Sequence, residues 1–519
     1  MKRVSVGRPA ALLSALLLGV AAFLLVLAVT EPPGPGLDPD ALAYMGAAQS
    51  LADHMEYRIP SAAWTSADST APLAHFPPGY SSLLAVPVRL GMAPVQAARL
   101  VDALAAFATI TVLVVLLAGA GMPLSGVLLA LALFTMDAMA EVHLSVLSEP
   151  AFLLCVALTL AALVGAPDRP LRAGVPAAVG ASTRYAGLAL VGAAVLWSLV
   201  RPAPIVTRVR RAAIALLPTL VVQGAWVLRT HHLAGPASIR RFSLYGDLRP
   251  TLDQGGETLS RWLIPDPGWT DDAIPYRGRI ALAAGILLVA LVAAGVQRAR
   301  RTPVEALATR LLAAGTLLLV SYMGMIVASR LVADAAIPFD QRILAPGLLL
   351  ATVLVATATT LWWRNARMPS RAVVAGALVV WAAAGASVVW RDARYALEWG
   401  SDFAGAQWRS SELLEWGRTP EARHPLYTNW PAAVYFHLQR PARDVPQRGD
   451  VHALAAFADT LCVRDGRVLV FAVPEPDLAT DLALSRQGGL RVLQRFRDGI
   501  VLAPVTRERT QPSGRTNCR

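Results

Sequence analysis

The feature that most constrains this chain is a series of long apolar runs separated by short, basic connections. Residues 12–29 contain no charged side chain, and about 20 such residues form a helix that spans a bilayer core. Charged residues make up 16% of the chain, against about 25% in a soluble protein. Glu31-Pro32-Pro33 follows the first run in place of a small-x-small cleavage site, so we expect a retained helix. The chain is predicted to be a polytopic α-helical membrane protein.

The apolar runs predict about eleven transmembrane helices. Nine of them are predicted at 9–29, 95–119, 123–140, 147–165, 212–229, 279–297, 311–328, 343–363 and 371–390. We interpret 173–200 as two short helices joined near STRYAG, because every strongly basic short loop then lies on the cytoplasmic side. The N-terminus is then cytoplasmic and the C-terminus outside. The net charge of +12 is explained by these loops and does not indicate a nucleic-acid partner.

Two domains are predicted. Residues 1–390 form the transmembrane domain, with a long first outer loop at 30–94, and residues 391–519 form a small extracytoplasmic α/β domain with a flexible tail. Its predicted elements are a Trp-rich helix in ARYALEWGSDFAGAQWRSSELLEWG, a strand in HPLYTN, a helix in WPAAVYFHL, a helix around 450–462, a strand in RVLVFAV, a helix at 476–487 and a hairpin in LRVLQRFRDGIVLAPV. Asp498-Gly499 is the turn predicted for that hairpin. Cys462 and Cys518 would pair only in an exported domain, and the sequence leaves this open.

Two acids open the first outer loop. Asp38 is predicted to cap a helix that begins at Pro39. Asp40 then lies in the first turn, where the helix dipole favours an acid by about 0.3–1 kcal/mol. This purely structural role would account for an acid at this position. The alternative is a catalytic role, because Asp40 and Tyr44 are four residues apart and share a helix face. At the mouth of a membrane cavity, Asp40 would be a general base.

Two further motifs lie on the predicted outer side. HFPPGY contains His75 and Tyr80, and a His near a membrane interface is most often a plain hydrogen-bonding residue. In SEPAFLL, Ser148 is a candidate helix cap and Glu149 a first-turn acid. An acid at the edge of a spanning helix is costly unless it is paired or hydrated, and therefore indicates a functional site. Glu149 is expected on the same side as Asp40.

Two arginines are predicted near the same membrane face. Arg184 lies where the two short helices meet, and it requires an anion, either a carboxylate of the protein or a lipid phosphate. Arg342 begins another helix from the outer side. Its neighbour Asp340 is an equally good explanation for it, since close ion pairs of this kind are common and weak.

In order and spacing, the pieces LDPDALAY, HFPPGY, SEPAFLL, TRYAGL and FDQRILAP resemble the GT-C superfamily of integral-membrane glycosyltransferases over roughly residues 9–350. The pattern is most similar to the branch with dolichyl-phosphate-mannose protein mannosyltransferases and lipid A aminoarabinose transferases. The resemblance implies an outward-facing cavity, a sugar donor carried on a polyprenyl phosphate, and a first-loop acid as catalytic base. That role maps onto Asp40, and the second outer-loop acid onto Glu149. Family members often carry a Lys or an acid beside the Pro-Pro, where this chain has His75 and Phe76.

The resemblance implies an inverting sugar transfer at the outer face of the cytoplasmic membrane, to an acceptor hydroxyl on a lipid, a glycan or a protein. The expected substrate-binding residues are Tyr44, His75, Tyr80, Arg184 and Arg342. Some family members bind a divalent ion, for which the candidate ligands are Asp40, His75, His143 and Glu149. The alternatives are a polytopic transporter, which the broken helices favour, and a non-catalytic protein of envelope assembly.

Overall fold

In the computed structural model, the described residues are 8–234, 243–265, 290, 297, 306–334, 336–364, 368–446, 451–472 and 489–505. The chain forms two compact units. The first comprises Met1–Pro35, Ala74–Leu84 and Val95–Glu398. The second comprises Gly36–Leu73, Ala85–Pro94 and Trp399–Arg519.

The secondary structure is mostly helical. Within the described ranges the α-helices are α1 (Arg8–Val29), α2 (Pro39–His54), α3 (Gly79–Arg89), α4 (Pro94–Gly119), α5 (Pro123–Phe134), α6 (Asp137–Leu144), α7 (Glu149–Gly165), α8 (Pro170–Thr183), α9 (Leu188–Val200), α10 (Ile205–Ala234), α11 (Arg249–Leu263), α12 (Ala306–Val332), α13 (Gln341–Trp363), α14 (Met368–Trp399), α15 (Ala406–Arg409), α16 (Glu412–Trp416), α17 (Pro431–Leu438) and α18 (Val451–Val463). The strands are β1 (Arg58–Ile59), β2 (Ser61–Ala62), β3 (Ala71–Pro72), β4 (Leu426–Thr428), β5 (Ala442–Asp444), β6 (Arg467–Phe471), β7 (Leu490–Phe496) and β8 (Gly499–Pro504).

The first unit is a multi-pass membrane region. Among the described residues, six helices are long and apolar enough to cross a bilayer, namely α1, α4, α10, α12, α13 and α14, and the α5–α6 pair would make a seventh. Helix α7 and the segment Tyr185–Val200 are shorter apolar helices. Each predicted span within the described residues is helical, whereas 279–297 lies outside them apart from residues 290 and 297. The predicted fold class, a polytopic helical protein with a small C-terminal α/β region, is confirmed.

Two of the predicted spans have a break. The predicted helix 123–140 is wrong as a single element, because the chain bends by 63° between α5 and α6. The interpretation of 173–200 as two helices is confirmed, with a 3-10 turn at Tyr185–Gly187 between α8 and α9. A Cβ on Gly187 would lie 2.3 Å from the carbonyl carbon of Gly180. Only glycine therefore allows this close return of the chain.

Small residues let the helices of the first unit approach one another. A Cβ on Gly174 of α8 would lie 2.4 Å from the carbonyl oxygen of Ala215 on α10, a contact typical of membrane helix pairs. The core between the helices is apolar, and it includes Leu113, Phe152 and Leu318, each at most 1% exposed. This packing fixes the positions of the polar side chains described below.

The second unit contains a mixed sheet of six strands in the order β2-β5-β4-β6-β8-β7. The first four strands run parallel, and β6, β8 and β7 pair antiparallel. Strand β2 comes from the segment between α2 and α3, where no strand was predicted. The remaining two strands, β1 and β3, form a separate antiparallel pair. The predicted strands and helices from 424 to 471 and the C-terminal hairpin are confirmed, whereas 476–487 lies outside the described residues.

Two local predictions in the second unit are wrong. The Trp-rich segment is not one helix, because α14 ends at Trp399 and Gly400 adopts φ +74, the left-handed conformation that terminates helices. The hairpin turn is not Asp498-Gly499, because Gly499 already pairs with Phe496. Gly499 is required for packing instead, since a Cβ there would lie 2.3 Å from the carbonyl oxygen of Val470.

Candidate functional site

The first unit buries one carboxylate between two arginine side chains. Glu149, the first residue of α7, is 1% exposed. Its Oε1 accepts a hydrogen bond from Nε of Arg342 and pairs with Nη1 of Arg184 at 2.5 Å. We call these three residues the Glu149 cluster. The two arginine side chains stay 15% and 19% exposed, so a ligand can reach them.

The hydroxyl of Ser148 bonds to two members of the Glu149 cluster. The hydroxyl was a candidate cap for α7, and this is wrong, because the structure has no side-chain cap bond there. The Ser148 hydroxyl donates instead to Oε2 of Glu149 at 3.3 Å and accepts from Nη1 of Arg184 at 3.2 Å. Both oxygens of the buried carboxylate therefore have partners, as a buried charge requires.

The end of α8 positions Arg184. Arg184 is the C-cap residue, in an extended conformation with φ −146. Gly79 of the HFPPGY motif packs directly beside it, because a Cβ on Gly79 would lie 2.5 Å from the carbonyl oxygen of Ser182. Two of the motifs found in the sequence, HFPPGY and TRYAGL, are thus in contact. Arg184 was predicted to require an anion, either a carboxylate of the protein or a lipid phosphate, and in the structure it pairs with the carboxylate of Glu149.

The first turn of α13 positions Arg342. Asp340 is the N-cap residue, and its side chain accepts from the backbone N–H of Ile343 at 2.8 Å. On the other side of the turn, the hydroxyl of Tyr322 donates to the carbonyl oxygen of Ile343 at 2.6 Å. Both contacts hold Ile343, the residue after Arg342. The side chain of Arg342 reaches Glu149 from this turn. Asp340 therefore has a structural role as the cap of the helix that carries Arg342.

A second buried carboxylate lies behind HFPPGY. Tyr80 is fully buried, and its hydroxyl donates to both carboxylate oxygens of Asp102 on α4, each at 3.0 Å. Tyr80 was expected to bind substrate, and Asp102 was not among the candidate residues. The available signal was a single acid inside a predicted spanning helix, which indicates a function or a partner by default. His75, the other candidate in this motif, is exposed, and its ring lies edge-on to Phe76.

The second unit holds Asp40 and Tyr44 on α2. The capping prediction is confirmed, since Asp38 is extended and its side chain accepts from the N–H of Ala41 at 3.1 Å. Pro39 is the first helical residue, Asp40 lies in the first turn, and Tyr44 is 2% exposed. Packing fixes the helix, because a Cβ on Gly46 would lie 2.1 Å from the ring of Pro60. The capping bond accounts for Asp38, and Asp40 occupies a first-turn position, where the helix dipole favours an acid.

The candidate ligands for a divalent ion do not form a metal centre. In the part of the chain that the structure describes, no three His, Cys, Asp or Glu side chains are placed to hold a metal ion. Nδ1 of His143 lies 2.7 Å from the carbonyl oxygen of Met139, and both oxygens of Glu149 already have partners. We therefore assign no step to a metal. Cys155 is a free, buried cysteine, whereas Cys462 is disulfide-bonded.

Comparisons with known proteins identify the fold. No protein-family model matches the chain, and no curated protein matches it. The arabinofuranosyltransferase AftD from Mycobacteria matches with a TM-score of 0.57 at 16% identity, over 97% of this chain and 40% of AftD. This chain therefore spans less than half of that enzyme. ArnT from Cupriavidus metallidurans, solved with bound undecaprenyl phosphate, has a TM-score of 0.48 at 18% identity, over 94% of this chain and 98% of ArnT.

Fold and site together define a multi-pass helical membrane protein with a small α/β unit and a buried carboxylate–arginine cluster. The fold is similar to that of the arabinofuranosyltransferase AftD, as the resemblance of the sequence motifs to the GT-C glycosyltransferases led us to expect.

Proposed function

We propose that this protein is a membrane glycosyltransferase that moves a sugar from a polyprenyl-phosphate donor to an acceptor hydroxyl, with inversion at the anomeric carbon. The observation that carries the proposal is the Glu149 cluster. Two guanidinium groups converge there on one buried carboxylate, and both arginine side chains remain partly exposed. Guanidinium groups match phosphate oxygens in geometry and charge. The resemblance of the sequence motifs and the GT-C fold support the same class of donor.

The proposed chemistry is a single displacement. Asp40 removes the proton from the acceptor hydroxyl, whose oxygen attacks the anomeric carbon as the bond from that carbon to the lipid-phosphate oxygen breaks. The leaving lipid phosphate gains negative charge, which Arg184 and Arg342 stabilise. A general base contributes about 10²–10⁴-fold to a rate, and each preorganised donor to a developing anion contributes on a similar scale. Tyr44, His75 and Tyr80 are proposed to contact or shape the substrate site.

The proposed location is the outer face of the cytoplasmic membrane, with a cytoplasmic N-terminus and the α/β unit outside. Polyprenyl-phosphate sugars and membrane lipids would be the partners, together with a lipid, glycan or protein acceptor. The disulfide at Cys462 supports an exported second unit, because such bonds persist in oxidising compartments.

The test uses the purified protein in liposomes with a panel of undecaprenyl-phosphate-linked hexoses and pentoses. We expect Asp40→Asn to lower sugar transfer by about 10²–10⁴-fold, since it removes the base while keeping the size of the side chain. The matched control is Asp38→Asn, which should keep near-full activity because Asn caps helices as well as Asp does.

Full activity of Asp40→Asn would exclude Asp40 as the base, and loss of activity only in Asp38→Asn would reverse the two roles. Uptake of a sugar into the liposomes without cleavage of the donor would favour the transporter instead.

A further inference from the structure

Helix α11, in the outer connection between α10 and the spans that follow, is anchored at both of its ends. At its start, Nε of Arg330 donates to Oγ1 of Thr251 at 2.9 Å, and Nη2 donates to the carbonyl oxygen of Asp247 at 2.9 Å. At its end, the indole N–H of Trp381 donates to the carbonyl oxygen of Trp262 at 3.0 Å. The anchors come from α12 and α14, so α11 is a fixed part of the first unit.

The middle of α11 binds one backbone position of a neighbouring segment. Thr258 donates its hydroxyl to the carbonyl oxygen of Phe339 at 2.8 Å, and Gln254 accepts the N–H of the same residue at 2.9 Å. Thr258 and Gln254 are four residues apart and therefore share a helix face. Gly255 makes room for the ring, because a Cβ there would lie 3.2 Å from Cδ2 of Phe339.

Phe339 immediately precedes the turn that carries Arg342. It is 5% exposed and lies outside any helix or strand, so its backbone groups depend on these two side chains for hydrogen bonds. The next residue is the N-cap Asp340, and Tyr322 holds the far side of the turn through Ile343. The turn is thus held from both sides, by α11 before Arg342 and by Tyr322 after it.

From this geometry we infer that Thr258 and Gln254 are positioning residues, which hold the first turn of α13 so that Arg342 meets Glu149 and the donor phosphate. The inference rests on the proposed function for the phosphate, but the contacts to Phe339 stand without it. Neither side chain needs to touch the substrate. Their effect passes through Phe339 and Asp340, and a displacement of about 1 Å at a reacting group can cost about 100-fold in rate.

The experiment compares Thr258→Val, which has nearly the same shape but no donor, with Thr258→Ser, which keeps the hydroxyl. Gln254→Met and Gln254→Glu form a second pair that removes or keeps the acceptor. Exposed Asp253 on the same helix supplies the surface control, Asp253→Asn. We expect about 10- to 100-fold weaker binding of undecaprenyl phosphate in Thr258→Val. Thr258→Ser and Asp253→Asn should stay near the wild type. Amide exchange at Phe339 should rise in Gln254→Met, which removes the acceptor of that N–H, and not in Gln254→Glu.

A second measurement does not depend on the lipid. In thermal unfolding, Thr258→Val combined with Glu149→Gln should be non-additive if α11 positions the Glu149 cluster. A wild type that fails to bind undecaprenyl phosphate would contradict the proposed function, and this cycle would still test the positioning role. Additive changes in stability, or equal lipid affinity in Thr258→Val and Thr258→Ser, would overturn that role.

Discussion

Glu149 and Asp102 are both buried carboxylates of the first unit, at 1% and 4% exposure, yet their surroundings differ in charge. Glu149 meets two guanidinium groups. Asp102 meets only the hydroxyl of Tyr80 within the described residues. The first carboxylate has two cationic partners that stay partly exposed to a ligand. The second has a neutral partner, and its bond ties the HFPPGY motif to α4. Burial alone therefore does not identify a site, whereas the side chains that contact the buried group do.

The largest effect on stability is expected from Glu149→Gln. The substitution replaces the buried carboxylate that both guanidinium groups contact by a neutral amide, and breaking a buried ion pair costs about 3–5 kcal/mol of unfolding free energy. Glu257→Gln removes an exposed partner of Arg261 and should cost at most about 1 kcal/mol. Denaturant unfolding in detergent compares the two. An equal cost for both variants would contradict the buried ion pairs assigned to the Glu149 cluster.

A smaller effect is expected from Tyr80→Phe, which leaves Asp102 buried without its hydrogen bond. Leaving a buried polar group unpaired costs about 1–3 kcal/mol. The double variant Tyr80→Phe with Asp102→Leu should recover part of that loss, because apolar groups then replace both partners. The same denaturant unfolding assay measures the stability of the single and double variants. A double variant less stable than Tyr80→Phe would mean that Asp102 has a further role.

The smallest effect should be a pH dependence in the second unit, where the partly buried His437 has a neutral partner. Nε2 of His437 lies 2.8 Å from the carbonyl oxygen of Phe403, and burial lowers the pKa of His437 below its ordinary 6.5. The folded state thus binds the proton more weakly than the unfolded chain. Its contribution to stability is present above pH 6.5 and is lost as the pH falls through the lowered pKa.

The measurement is unfolding of the second unit between pH 7 and 5, in the wild type and in His437→Gln. We expect the unfolding free energy of His437→Gln to fall less at low pH than that of the wild type. His452→Gln at an exposed position is the control and should follow the wild type. Identical pH profiles for all three proteins would exclude His437 as a source of the dependence.

Local sequence signals predicted the helices and the need of Arg184 for an anionic partner. Asp38 before Pro39 specified the start of α2, and the requirement of Arg184 for an anion anticipated its pairing with Glu149. These signals work because capping and the cost of burying a charge act at short range. Asp102 was the exception, because its partner Tyr80 lies 22 residues earlier in the chain and no local pattern links them.

Features that depend on distant segments were not predicted. Strand β2 joins a sheet made of residues almost 400 positions later, with Ser61 paired to Ala442, and two residues of strand carry little pattern. Asp498-Gly499 has the composition of a turn, but Gly499 lies in β8, where the lack of a side chain lets β8 come close to β6. The bonds from α11 to Phe339 were missed for the same reason, since Thr258 and Gln254 are ordinary polar helix residues until their partner is known.

The central claim is that the Glu149 cluster binds the phosphate of a polyprenyl lipid. The most direct measurement is the affinity of the purified protein for undecaprenyl phosphate and for undecaprenol, in the wild type and in Arg342→Met. We predict that the wild type prefers the phosphate by about 10- to 100-fold, as charged hydrogen bonds of about 1.5–3 kcal/mol imply, and that Arg342→Met loses most of this preference. Equal preference in both proteins, or none in the wild type, would contradict the account.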